Sequence, residues 1–98
     1  GSGGFYAQLN EFFATDQAPS AFSPSGLAVC PGDGNLYVVA AVGRALAVLH
    51  PDGRLLYVGR LDGRRFPQPE GICFDRRGRM FISTEGKNGA PGRIFRFD

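Results

Sequence analysis

The chain has 98 residues, among them 15 glycines, 7 prolines, 9 phenylalanines and 3 tyrosines, and a formal net charge of +2. This length allows one small domain or part of a larger one, and the composition, with no long helical pattern, favours short strands and tight turns. No run of about 18 apolar residues occurs, which excludes a membrane-spanning helix, and the small net charge says little about partners.

The N-terminal part precedes the regular pattern of the chain. Residues 1–4, Gly-Ser-Gly-Gly, are typical of a cloning remnant, and no signal peptide is expected. An apolar-rich strand is predicted over residues 5–9. Residues 10–23 are less regular, but their three phenylalanines predict that part of this segment packs on the core. A short helix over residues 11–15 is the alternative.

Four strands separated by turns are predicted in the next part of the chain. They cover residues 27–29, 36–41, 46–49 and 55–58. The second is a near-continuous apolar run, which is typical of a strand buried on both faces. The turns at residues 31–34 and 50–53 combine proline, aspartate and glycine, which favour tight corners. Residues 62–65 are predicted to be an exposed loop.

The following segment repeats this pattern. Three strands are predicted over residues 72–74, 80–83 and 94–97, with a long loop over residues 85–92 before the last. Residues 69–75 match residues 24–30 at an offset of 45, residues 78–83 match 34–39 at an offset of 44, and the third strand matches 46–49 at an offset of 48. An internal repeat of this length predicts two similar structural units.

The N-terminal strand supplies the element that the second unit lacks. Phe5-Tyr6-Ala7 resembles Leu56-Tyr57-Val58, the fourth strand of the first unit. With the strands of one unit named A to D, the order along the chain is D-A-B-C-D-A-B-C. The predicted fold is therefore all-β, with two four-stranded β-propeller blades per chain. Residues 5–66 hold the N-terminal strand D, a connecting segment and the first blade. Residues 67–98 hold strands A to C of the second blade, completed by strand D of a neighbouring chain.

Six segments carry a resemblance to a known family: residues 69–75, 80–86 and 93–98 in the second unit, and residues 24–29, 35–39 and 51–53 in the first. They resemble the SdiA-regulated domain family, a relative of NHL-type and gluconolactonase-like six-bladed propellers. The resemblance implies a propeller architecture and an extracytoplasmic bacterial origin, and it implies no particular reaction.

Two glutamates are candidates for a site at the mouth of the propeller channel. Glu70 begins an innermost strand, and Glu85 ends the neighbouring strand near the same face. The first unit has Ser25 and Ala41 at these positions, so a glutamate site would occur once per chain. Carboxylates at a channel mouth can hold calcium, and in related lactonase-like propellers such residues bind a divalent metal. The alternative is that Glu70 caps backbone amides and Glu85 is solvated, in which case no cofactor is needed.

The loop over residues 85–92 is a second candidate. Its glycines, with Lys87 and Asn88, could bind an anion through backbone amides, although a simple connecting loop is the favoured interpretation.

The turn arginines could form a nucleic-acid surface, but acidic residues are interspersed among them and solvated turns are favoured. These arginines are Arg60, Arg64, Arg65, Arg76, Arg77 and Arg79.

The remaining chemistry-bearing residues give no sign of catalysis. His50 is interpreted as a turn residue, because no nucleophile motif accompanies it. Cys30 and Cys73 lie at non-equivalent positions of the repeat and are predicted to be buried thiols rather than a disulfide.

The sequence therefore predicts a non-enzymatic, self-assembling propeller module, with no nucleic-acid or membrane partner. A carbohydrate-binding propeller and a calcium-dependent lactonase or esterase are the alternatives. In a lone chain the strands at 36–41 and 80–83 would face water, so we expect a homotrimeric ring of six blades, with a homotetramer of eight as the second choice. The strands expected to pair between chains contain Phe5, Tyr6 and Ala7 on one side, and Ile94, Phe95 and Phe97 on the other.

Overall fold

The computed structural model describes residues 24–97, which form seven strands in two antiparallel sheets. The first sheet has the order β1 (Pro24–Val29), β2 (Leu36–Ala40), β3 (Ala45–Leu49), β4 (Leu55–Arg60). The second has the order β5 (Gln68–Phe74), β6 (Met80–Glu85), β7 (Arg93–Phe97). The all-β prediction is confirmed for this part of the chain, which holds no helix that could cross a membrane. The predicted strand at residues 5–9 lies outside the described residues.

The internal repeat is confirmed by the register of the two sheets. The ladder between the first two strands shifts between Pro24 and Gly26 in the first sheet, and between Pro69 and Gly71 in the second. The two shifts are 45 residues apart, which is the sequence offset of the repeat. Because the chain continues to pair beyond each shift, β1 and β5 begin earlier than the predicted residues 27 and 72. A bulge of this kind bends a strand and increases its twist.

Three turns are closed by a pair of backbone hydrogen bonds to one residue. The N–H of His50 donates to the carbonyl of Arg54 at 2.8 Å, and the carbonyl of His50 accepts from Gly53 N–H at 2.8 Å. Asp75 makes the same pair of bonds in the hairpin that follows β5. In the hairpin that follows β1, Cys30 closes a turn one residue longer: its N–H donates to the Asn35 carbonyl and its carbonyl accepts from Gly34 N–H. The glycines of the three turns have φ of +74°, +95° and +81°, which side chains with a Cβ rarely adopt. The prediction that His50 is a turn residue is confirmed.

Aspartates hold these turns through their carboxylates. Oδ1 of Asp75 accepts from the backbone N–H groups of Arg77 and Arg79, both at 2.9 Å, and Oδ2 accepts from Arg79 Nε at 2.6 Å. The hydrogen bond from the Arg79 backbone, with further bonds from the Arg79 side chain and Arg77, lowers the pKa of Asp75 below its usual 3.8. The backbone N–H groups of Asn35 and Arg54 lower the pKa of Asp33 and of Asp52 in the same way.

These lowered pKa values predict acid sensitivity. A carboxyl whose folded pKa lies below its unfolded value stabilises the fold above the unfolded pKa, and the contribution is lost as the pH falls through the folded pKa. We expect the urea midpoint to be constant at mildly acidic pH and to fall below pH 3.8. Asp75→Asn should be less stable at pH 6 but lose less between pH 4 and pH 2. An equal acid loss in this variant and the parent would contradict the assignment.

The core consists of two clusters on opposite faces of the first sheet. Val39, Phe66 and Ile82 are 0%, 3% and 0% exposed and join the first sheet to the second. Side chains alternate along a strand, so the neighbour Val38 points to the other face. There it packs in a second cluster with small and branched residues of β2 and β3. The other buried members of that cluster are Ala40, Ala45, Ala47 and Leu49.

The inner strands of the two sheets approach each other closely. β5 contacts both β1 and β2. The Ser25 hydroxyl donates to the Pro69 carbonyl at 3.1 Å and lies 3.3 Å from the Val39 carbonyl oxygen. A Cβ added at Gly26 would lie 3.1 Å from the carbonyl oxygen of Glu70, which is backbone and cannot easily move. The repeated glycine therefore lets the strands meet.

Two predictions about burial are wrong. Residues 36–41 do not face water in the single chain, since Val38, Val39 and Ala40 are all buried by the two clusters. Ile82 of β6 is buried for the same reason. Cys73 is exposed rather than buried, because its neighbour Ile72 points into the core and alternation places Cys73 on the opposite face. Cys30 is buried as predicted, and neither cysteine is in a disulfide.

Candidate functional site

Glu70 and Glu85 line the same cavity, which has a volume of about 620 Å³. Glu70 lies in the bulge of β5, and Glu85 ends β6 opposite Gln68. Glu70 is half-buried, whereas Glu85 is exposed. Ser25 is not among the residues that line this cavity, because its hydroxyl faces the carbonyls between the two sheets.

The calcium prediction concerns this pair of glutamates. Calcium takes six to eight oxygen ligands, and a protein site usually draws several of them from carboxylates. Within residues 24–97 no group of three or more histidine, cysteine, aspartate and glutamate side chains could hold a metal ion. Two carboxylates with neighbouring hydroxyls would have to suffice, so calcium binding here stays a prediction.

A second cavity, of about 660 Å³, adjoins the first and shares Thr84, Glu85 and Arg93 with it. One wall is the segment that precedes β5, and the other is the loop between β6 and β7. Four cationic side chains line it, from both walls: Arg64, Arg65, Lys87 and Arg93. Its apolar lining is Pro67, Ala90, Pro91 and Phe95.

The wall before β5 is fixed by its backbone and by one aromatic side chain. Phe66 N–H donates to the Asp62 carbonyl at 2.8 Å, and Arg44 Nε donates to the Pro67 carbonyl at 3.2 Å. The Phe66 ring is buried, with its centroid 4.8 Å from that of Phe95 and 5.8 Å from that of Phe97. These contacts fix the backbone next to Arg64 and Arg65.

The opposite wall is a tight loop. Ala90 N–H donates to the Lys87 carbonyl at 2.9 Å, and a Cβ added at Gly86 would overlap the carbonyl oxygen of Ala90. Where the two walls meet, the buried Thr84 hydroxyl accepts from Gln68 N–H at 3.0 Å and donates to the Glu85 carbonyl at 3.1 Å. Both walls of the cavity are therefore preformed.

The two loop residues predicted to contribute to anion binding have different positions. Lys87 lines the second cavity, whereas Asn88 does not and instead takes a left-handed turn conformation with φ of 53°. Sequence reasoning missed that Arg64 and Arg65 face this loop. The strand order could have indicated this contact. The start of β5, the end of β6 and the start of β7 lie at the same end of the sheet, so the segments attached there must be neighbours.

The residues predicted to pair between chains have different environments. Ile94 is 72% exposed. Phe95 and Phe97 are half-buried and pack on Phe66, so they also belong to the core of their own chain. Phe5, Tyr6 and Ala7 lie outside the described residues.

No protein-family model matches this sequence, and a search of curated proteins found no match.

Proposed function

We propose that this chain is a non-enzymatic propeller module, related to the SdiA-regulated domains, whose copies assemble into a six-bladed ring of three chains. One observation carries the proposal. The second sheet repeats the register of the first through three strands, but among residues 24–97 it has no fourth strand beside β7. The first sheet has that strand, β4.

The outward faces of the two sheets both carry exposed apolar side chains. Leu27 pairs with Val38 and shares its face, which is turned away from the second sheet; Leu27 is 62% exposed. Ile94 pairs with Ser83, and because Ser83 alternates with Ile82, Ile94 lies on the face turned away from the first sheet. A contact between these two faces would remove the exposed side chains from water.

These two faces are unlike, and they lie on opposite sides of the chain. Contact between them is head-to-tail, and a head-to-tail contact ends only when rotation closes a ring. With two blades in each chain, the number of blades must be even. Six blades fit the propellers that the sequence resembles and need three chains. Eight blades and four chains are the second choice.

The strand that completes the second sheet comes, in this proposal, from the next chain. Phe5-Tyr6-Ala7 matches Leu56-Tyr57-Val58 of β4, the strand that occupies the equivalent place in the first sheet. An open strand edge offers unpaired N–H and C=O groups to such a partner. If the strand paired with β7 of its own chain, the product would be a monomer, which a mass measurement separates from the ring.

Two complementary variants test the head-to-tail contact. Leu27→Asp and Ile94→Asp each place a charge on one of the two outward faces, and each alone should prevent ring closure. A mixture of the two should form a heterodimer, because one intact contact remains between the Ile94 face of the first variant and the Leu27 face of the second. Val42→Asp, at a turn residue that is 57% exposed, is the control and should keep the ring. Rings formed by either face variant alone would contradict the contact.

The non-enzymatic part of the proposal has its own test. We expect no turnover of lactones or phosphate esters with or without calcium, and no binding on a glycan array. The chain contains no tryptophan, the residue best suited as a platform for sugars. Calcium-dependent hydrolysis that is lost in Glu70→Ala and Glu85→Ala would overturn the proposal in favour of a lactonase.

A further inference from the structure

We propose that the cavity between the segment before β5 and the loop between β6 and β7 binds a small organic anion, with a phosphate or carboxylate head and an apolar body. The cavity is formed by residues of one chain. The inference is therefore independent of the ring.

Charge is the first argument for an anionic ligand. Arg64, Arg65, Lys87 and Arg93 line the cavity together with a single carboxylate, that of Glu85. Within residues 24–97, the ion pairs of Asp52 and Asp75 with arginine engage Arg54 and Arg79, which lie outside this cavity. All four cationic residues of the cavity are exposed, so a ligand can reach them. Three of them are guanidinium groups, whose planar forks match the oxygens of a phosphate or carboxylate in pairs.

Size and lining argue for an organic anion rather than an inorganic ion. A volume of about 660 Å³ falls within the range of small-molecule sites, about 300 to 1,000 Å³. Phe95 with Pro67 and Pro91 supplies apolar surface for the body of the ligand. These residues line the same cavity as the four cationic ones, so one molecule could contact both.

Preorganisation is the third argument. Phe66 and Arg44 hold one wall, the Lys87–Ala90 turn closes the other, and the buried Thr84 hydroxyl joins the two. A site whose backbone is already ordered loses little conformational freedom on binding, so more of the contact energy is retained as affinity.

The test is a titration of the isotope-labelled full chain with phenyl phosphate and with phenylacetate, followed by amide NMR shifts. We expect saturable shifts of the amides at residues 63–65, 86–90, 92 and 93 with at least one of these probes. The tighter-binding probe identifies the head group. Higher salt should weaken binding, since the attraction of exposed charges is screened.

Matched variants test whether the cationic walls carry the affinity. Arg65→Gln on one wall and Lys87→Gln on the other should each raise the dissociation constant about tenfold, because each removes a charge-assisted hydrogen bond. Arg76→Gln, an exposed arginine in the turn between β5 and β6, should leave it unchanged. Binding of neutral benzyl alcohol as tight as that of both anions, absence of saturable shifts at the cavity, or equal weakening by Arg76→Gln would each overturn the proposal.

Discussion

Deletion of residues 1–9 is expected to abolish ring assembly completely. In the proposed ring these residues supply the strand that pairs with β7 of the neighbouring chain and completes the second sheet. Without it β7 keeps an open edge, and the head-to-tail contact loses a row of backbone hydrogen bonds. Sedimentation at micromolar concentration should then find a single chain of about 10 kDa rather than an assembly.

A shorter truncation is the control for this deletion. Removing only residues 1–4 should leave the assembly intact, because the Gly-Ser-Gly-Gly segment has no side chain suited to a strand. A chain lacking residues 1–9 that still forms the same ring would show that strand exchange is not what holds it together.

Replacement of Ile82 by alanine is expected to cause a large loss of stability. Ile82 is 0% exposed and lies in the cluster that joins the two sheets, with Val39 and Phe66. Truncating a buried isoleucine to alanine costs about 2–5 kcal/mol. Since small domains are stable by only about 5–15 kcal/mol, urea denaturation should reveal a large shift of the midpoint or an unfolded chain.

Graded and surface variants make this prediction specific. Ile82→Val removes one methylene group and should cost about 0.5–1.5 kcal/mol. Val42→Ala, at a residue that is 57% exposed, should change the free energy of unfolding by less than about 0.5 kcal/mol. If Ile82→Ala cost no more than Val42→Ala, the cluster would not be the core.

The strands from residue 24 onward could be predicted from the sequence because local signals mark them. Apolar runs between glycine turns gave all seven strands of residues 24–97, with errors only at their ends. The repeat offsets identified equivalent strands in the two units, and the structure shows that these strands pair with the same register shift. The early starts of β1 and β5 were missed because a bulge lets pairing continue past Gly26 and Gly71, and no local pattern marks a bulge.

Burial and the second cavity depended on contacts between distant segments. Cysteine is a residue type that is often buried, but the face of the sheet on which Cys73 lies is set by the pairing of β5 with β6. Arg64 and Arg65 were interpreted as solvated turn residues. They line one cavity with Lys87 because two separate connections lie at the same end of the second sheet. Glu70 and Glu85 were placed near one face by the predicted strand order alone, and they line one cavity.

The mass of the intact chain in solution tests the central claim most directly. Light scattering at micromolar concentration should give three times 10.5 kDa, about 31.5 kDa, for the six-bladed ring. The same mass should persist on dilution until the assembly dissociates into single chains. A stable, folded monomer of 10.5 kDa at these concentrations would contradict the ring.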